Sequence, residues 1–241
     1  MHIVNNKMTI YIPEIDPSSL QFPDPSTALA DPNGLLAFGG DLSPQRLHQA
    51  YRHGIFPWYS QGEPILWWSP TPRGIFIPQQ FTPSKSLRKF MRKVSYTVTI
   101  NHACHAVIRQ CAESRGPEHT WITEEMINAY QKLHDEGNCH SVEVWQDQQL
   151  VGGFYGIAVG SVFCGESMFS LADNASKIAL WYFCHHFSSH GGTLIDCQMM
   201  NPHLASLGAR ELNRSAFLTQ LHQQRDSALP TACYHPQTLV L

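Results

Sequence analysis

Charge is scarce in this chain. Only 15% of its 241 residues are charged, and 16 lysines and arginines against 19 aspartates and glutamates leave a formal net charge of -3. That excludes a protein wrapped in positive potential, so any nucleic-acid contact has to come from a local patch. No run of about 18 apolar residues occurs, which excludes a membrane-spanning helix, and residues 1–10 lack the apolar centre of a signal peptide. The expected location is the cytoplasm. The seven cysteines contain no C-x-x-C pair, a poor framework for disulfides or a zinc ribbon, and read as reduced, buried thiols. P-loop, G-x-S-x-G and H-E-x-x-H patterns are missing too, as are repeats and low-complexity tracts. Two histidine groups occur, His102 with Cys104 and His105, and His185-His186 with His190. Neither brings a carboxylate in the metalloprotease position, and the expectation is no metal and no cofactor.

What the chain does have is 43% hydrophobic residues, enough for a folded enzyme-sized protein of one large or two modest domains. Residues 1–72 are rich in proline, glycine and aromatics and are expected to be turns around short pieces, an irregular N-terminal domain. One helix stands out there, opened by Ser43 and Pro44, with Leu47, Ala50 and Tyr51 on one face and Gly54 as terminator. Residues 73–241 read as a second domain. In it Lys85, Arg88, Lys89 and Arg92 repeat at helical spacing, with Leu87, Phe90, Met91 and Val94 on the opposite side. A strand over 96–100, a helix from Asn101 to about Cys111 and another from Thr123 to about His134 follow, the last with Thr123 as cap.

From His140 the pattern is a meander of three strands, 140–146, 149–159 and 161–169, turning at Asp147-Gln148 and Gly160. A helix over 174–190, a strand over 193–198 and a short helix opened by Asn201-Pro202 complete it. This order is that of the acetyltransferase-like fold: α+β, with a mostly antiparallel sheet flanked by helices. Acetyltransferases cradle coenzyme A on a glycine-rich turn before the long helix. Here that turn, residues 170–177, has no glycine and carries Asp173, which argues against an acyl-CoA donor.

Strand alternation puts Asp196 and Gln198 on one face with Cys197 on the other, and Glu166 with Met168 on one face of the neighbouring strand. Together they suit a polar centre beside an apolar wall. Equally, such carboxylates serve to satisfy buried backbone or to pair with an arginine. Trp58, Tyr59, Trp67 and Trp68 suit base stacking on loops or the core of a small irregular domain, and the basic helix suits phosphates or a solvated face. Gly152-Gly153 and Gly156, inside a strand, suit close backbone approach by a ligand.

Five blocks carry a more specific signal: Gly34-Leu-Leu-Ala-Phe-Gly-Gly-Asp-Leu42, Gly54-Ile-Phe-Pro-Trp58, Pro64-Ile-Leu-Trp-Trp-Ser-Pro70, Phe163-Cys-Gly-Glu-Ser-Met-Phe169, and Ile195-Asp-Cys-Gln198 followed by His203-Leu-Ala-Ser-Leu-Gly-Ala209. In this order the chain, from about Phe22 to about Phe217, resembles the leucyl/phenylalanyl-tRNA–protein transferases. The resemblance implies transfer of leucine or phenylalanine from Leu-tRNA or Phe-tRNA to proteins with N-terminal arginine or lysine, which marks them for degradation. It also implies that Asp196 and Gln198 are the catalytic pair, Asp196 taking the proton and Gln198 orienting, with Glu166 as active-site glutamate.

The same resemblance implies a side-chain pocket of Phe154, Met168, Phe183 and Ile195, with Trp58 and Trp121 near the 3′-terminal adenosine and Tyr130 nearby. Lys85, Arg88, Lys89 and Arg92 become the expected tRNA-binding face. Phe154 departs from the family's usual leucine or methionine, and its stiffer ring is expected to narrow the pocket. A small-molecule N-acetyltransferase and a non-catalytic tRNA-binding module remain the competing readings.

Overall fold

Proline and glycine do break the first 72 residues into short pieces, yet those pieces pair. In the computed structural model, which describes residues 2–5, 8–114, 116 and 120–241, a hairpin of β1 (His2–Asn5) and β2 (Met8–Tyr11) comes first. A four-stranded sheet follows, made of β3 (Glu14–Ile15), β4 (Leu35–Gly39), β5 (Phe56–Pro57) and β6 (Leu66–Trp68), in the order β3-β4-β6-β5. Between β4 and β5 runs α1 (Pro44–Arg52), which buries Leu47, Ala50 and Tyr51 as expected. The Ser43 side chain makes no cap bond, so the start rests on the preset φ of Pro44, and Gly54 ends the turn at φ +73°. Trp67 is core rather than a stacking platform: it is fully buried, and its Nε1 donates to the Gly39 carbonyl at 2.9 Å.

The second part of the chain forms, among the described residues, an eight-stranded sheet. Its strands are β7 (Arg73–Phe76), β8 (Tyr96–Ile100), β9 (Cys139–Gln146), β10 (Gln149–Val159), β11 (Val162–Ser170), β12 (Leu194–Gln198), β13 (Arg210–Leu212) and β14 (Gln237–Thr238). The order is β13-β7-β12-β11-β10-β9-β8-β14. From β8 to β11 it is an antiparallel meander, β12 lies parallel to β11, and the other pairings are antiparallel. The fold is mixed α+β. At the β9–β10 turn Asp147 and Gln148 take φ +48° and +65°, both central residues left-handed as a two-residue hairpin requires.

Helices cover both faces because the strands alternate: Phe154 enters one core, Tyr155 and Ile157 the other. On the first face lie α2 (Lys85–Met91) and, across the strands, the long α5 (Ala175–Ser189) with Ile178, Phe183 and Phe187 buried. On the second lie α3 (Cys104–Glu113) and α4 (Glu124–Asp135), joined in one core with Leu47, Tyr51 and Trp67 of the N-terminal part. Thr123 caps α4 as expected. The helix expected from Asn101 starts only at Cys104, since Asn101 takes φ +56° and the amides of His102 and Ala103 donate to the buried Glu143 carboxylate, each at 3.3 Å. Two further helices, α6 (Pro202–Ser206) and α7 (Arg214–Gln224), follow β12 and β13. No helix among the described residues is long and apolar enough to cross a membrane.

The strand glycines answer to the protein's own packing, which corrects the ligand-approach reading. A Cβ on Gly152 would stand 2.5 Å from the Ala175 Cβ at the start of α5, and one on Gly156 would stand 2.3 Å from the Cys164 carbonyl and 2.5 Å from the Phe163 ring. Gly156→Ala is therefore expected to lose about 1–3 kcal/mol or more through overpacking. Gly165→Ala, whose nearest new neighbour is the Asp196 carbonyl at 3.6 Å, should lose much less. Urea denaturation of the two variants checks this, and equal midpoints would contradict it.

Candidate active site

Backbone pairing between β11 and β12 stops at Cys164 opposite Asp196, although both strands run on. Each carries an extra residue just there. On β11 the register passes over Glu166, with Ser167 opposite Tyr155 but Gly165 opposite Gly156. On β12 it passes over Cys197, with Asp196 opposite Ile75 but Gln198 opposite Gly74. Bulges of this kind bend a strand and re-aim its side chains. Two in adjacent strands open a gap in the sheet, bridged by Gln198 Nε2 donating to Glu166 Oε1 at 2.6 Å.

The gap opens on a cavity of about 550 Å³, large enough for an amino-acid side chain and more. Of the catalytic and substrate-pocket residues named from sequence, Trp58, Trp121, Phe154, Met168, Ile195, Glu166 and Gln198 line it. Three do not. Tyr130 stands behind Glu166, donating its hydroxyl to Oε2 at 2.9 Å, and accepts in turn from the direction of Tyr51, 2.7 Å away. Phe183 is fully buried behind Phe154, ring centroids 5.4 Å apart, so it shapes the wall without touching the space.

Asp196 is the third, and it does not line the cavity. The bulge breaks the alternation that would have set it beside Gln198, and its carboxylate faces away from the cavity into a buried ion pair. Arg73 donates from Nε to Oδ1 at 2.8 Å and from Nη2 to Oδ2 at 2.7 Å. The Gln198 amide N–H adds a third bond to Oδ1 at 2.9 Å. Both partners are 1% exposed. Arg73 also donates to the Gly54 carbonyl at 3.0 Å and lies between the rings of Phe56 and Phe217, 5.0 and 4.5 Å from their centroids. Burial works to lower the guanidinium pKa, but Asp196 outweighs it and holds it above the usual range. The arginine pairing that sequence left open is what Asp196 does.

Among the described residues no cation forms such a pair with Glu166. Burial pushes its carboxyl up to about 7; hydrogen bonds from Tyr51, Tyr130 and Gln198 pull it down, and the charge of Asp196 raises it further. Burial first, and then Glu166, hold the Tyr130 phenol well above its ordinary range, so it remains a donor. A carboxyl that changes charge near neutral pH at the wall of an apolar cavity is equipped for general acid–base work. Beside it, the second N–H of Gln198 Nε2 is available to a carbonyl oxygen.

Lys85, Arg88, Lys89 and Arg92 are all exposed, while Leu87 on the opposite side of α2 is buried. They form a local basic face that is not part of the cavity wall. Sequence reasoning missed Arg73, Tyr51 and the far wall supplied by Met199, Met200, Asn201 and His203. For Arg73 one signal existed, a lone cation heading the apolar run Ile75-Phe76-Ile77. Tyr51 looks like any apolar helix position, and the far wall has no spacing signature.

The family described as leucyl/phenylalanyl-tRNA protein transferase matches residues 75–222, and its N-terminal domain matches residues 40–71. A leucyl/phenylalanyl-tRNA–protein transferase of Photobacterium profundum is 68% identical over 96% of this chain and 98% of its own length. One of Vibrio vulnificus is 61% identical over 96% and 98%. Among solved structures, L-PGS from Bacillus licheniformis aligns with 79% of this chain and 62% of its own at 12% identity and a TM-score of 0.37, too distant to carry an argument. On the strength of the full-length relatives, the chain belongs to the leucyl/phenylalanyl-tRNA protein transferase family.

Proposed function

We propose that the cavity between β11 and β12 receives the aminoacyl end of leucyl- or phenylalanyl-tRNA, and that the amino acid passes there to the α-amino group of a protein beginning with arginine or lysine. The observation that carries this is a carboxyl with a pKa of about 7 facing an apolar cavity in a member of this family. Asp196, locked to Arg73, is a positioning residue, and Glu166 takes the proton.

An aminoacyl ester is already activated, so the task is positioning, proton removal and oxyanion stabilisation. The α-amine of the acceptor has a pKa of about 8 and is partly neutral at pH 7. Its nitrogen attacks the ester carbonyl, whose oxygen accepts the free N–H of Gln198. The C–N bond forms, the C–O bond to the terminal ribose breaks, and the amine proton moves to Glu166 and on to the leaving ribose oxygen. Phe154, Met168 and Ile195 take the apolar side chain. Trp58, 37% exposed, and Trp121 offer rings to the terminal adenosine, and the basic face of α2 suits the phosphates beyond it. We read residues 73–241 as an acetyltransferase-like domain, from the meander, α5 and parallel β12, and residues 1–72 as a separate N-terminal domain. A tRNA substrate implies the cytoplasm.

Incubating the protein with labelled leucyl-tRNA and peptides beginning with arginine, lysine or alanine is expected to label the first two only; no labelling at all would overturn the function. For Glu166→Gln, kcat/KM should fall by about 10²–10⁴, and the limb near pH 7 in the parent's profile should vanish. Stability gives an independent check. The folded pKa lies above the ordinary 4.5, so the folded state holds a proton that the unfolded state has lost. Parent stability should therefore fall as pH rises from 4.5 to 7, by an amount of the order of 3 kcal/mol. Glu166→Gln should not show this fall, and parallel Tm curves for the two proteins would contradict the assignment. Phe154→Leu widens the cavity and should shift the kcat/KM ratio toward phenylalanine by about tenfold or more; an unchanged ratio would remove Phe154 as a selectivity residue.

A further inference from the structure

Away from the cavity, the last turn of α5 carries His186 and its C-cap is His190, four residues apart with ring centroids 4.2 Å from one another. Sequence spacing groups them with His185, but His185 is exposed. The structure brings Cys233 instead, from the short 3-10 turn Thr231–Cys233 that lies against α5 just before β14. One ring nitrogen from each histidine and the Cys233 sulfur lie within 4.8 Å of one another; His186 and Cys233 are buried and His190 half-buried.

Hydrogen bonding prepares both rings to act as ligands. His186 Nε2 donates to the Cys233 carbonyl at 2.8 Å, and His190 Nδ1 donates to the His186 carbonyl, also at 2.8 Å. A carbonyl only accepts, so each of these nitrogens carries the proton, and the lone pairs fall on Nδ1 of His186 and Nε2 of His190. Tethering one ring nitrogen to a backbone carbonyl is how metal-binding histidines are usually oriented.

We propose that His186, His190 and Cys233 form a zinc-class site, two imidazoles and one thiolate with a fourth position open, which clasps the C-terminal segment to α5. With Zn–N of about 2.0–2.1 Å and Zn–S of about 2.3 Å, a tetrahedral ion holds its ligand atoms about 3.4–3.6 Å apart. Closing from 4.8 Å takes side-chain rotations that bring the ligand atoms about 1 Å nearer one another. Two nitrogens and a sulfur suit a borderline divalent ion and not magnesium or calcium. Cysteine binds zinc as its thiolate, so the Cys233 thiol gives up its proton on binding. Binding exchanges that proton for the ion: the S–H bond breaks, the Zn–S bond forms, and one proton is released.

The test uses untagged, metal-free, full-length protein. Titration with zinc should show one ion and one proton released per chain, and Tm should rise by about 5–10 °C at zinc 100-fold above its Kd. Titration with Co(II) should produce a thiolate-to-cobalt charge-transfer band. His190→Ala, at a half-buried position, should weaken zinc binding by about 100-fold or more, Cys233→Ser should abolish the cobalt band, and His185→Ala should change neither. Absence of the band in the parent, or zinc affinity unchanged in His190→Ala, overturns the proposal; if Cys233→Ser fails to fold, those two readouts decide it.

Discussion

Much of this structure turns on one buried ion pair. Arg73 and Asp196 each reach only 1% exposure, and desolvating two charges is costly unless geometry and further hydrogen bonds offset it. Here the guanidinium meets the carboxylate with two parallel N–H bonds and donates a third to Gly54, the arrangement in which arginine is strongest. The pair ties β7 to β12, fastens the segment after α1, and with Phe217 brings in α7. It also sets the electrostatics of the cavity. Asp196 has its counter-charge and Glu166 has none among the described residues, so burial and the nearby Asp196 charge drive Glu166 toward neutrality. Two carboxyls in one sheet thereby acquire opposite settings, Asp196 paired with an arginine and Glu166 pushed by burial up to about 7.

Much of the fold was legible in the sequence because local rules agreed there. The meander from β9 to β11, its left-handed Asp147-Gln148 turn, the capped α4 and the long apolar α5 all follow from period, turn chemistry and caps. What escaped was non-local. The strand β7 is short and pairs with segments more than a hundred residues away. The start of α3 is set by Glu143 on β9, whose carboxylate accepts from Ser141 and Thr99 as well as from the α3 amides. No short window of sequence contains both Glu143 and the α3 amides it holds, some 40 residues away.

The candidate site shows the same division more sharply. Asp196 and Gln198 alternate, and a period of two puts them on one face. The extra residue at Cys197 cancels that inference, because a bulge moves later side chains to the other face. Glu166, Met168 and Gln198 reach the cavity as the sequence suggests; the direction of Asp196 could not be read. The glycines carried the opposite lesson. Their lack of a side chain did mark close approach, but the approaching atoms belong to α5 and to neighbouring strands.

Gln198 shows why the bulge and the ion pair belong together. It is a non-glycine residue at φ +59°, a conformation that costs energy unless its surroundings over-determine it. Its own N–H is held by Asp196, which Arg73 holds in turn, while its side chain donates to Glu166. Glu166 is thus met by a donor on each oxygen, Gln198 on one and Tyr130 on the other. An amide nitrogen cannot accept, so a proton arriving on Glu166 cannot turn toward Gln198. It must face the cavity, where an amine would deliver it, or reverse the hydroxyls of Tyr130 and Tyr51 together. The protein therefore holds its titrating carboxyl by partners that favour the charged form, inside a burial that favours the neutral one, and the balance of the two is what leaves it near pH 7.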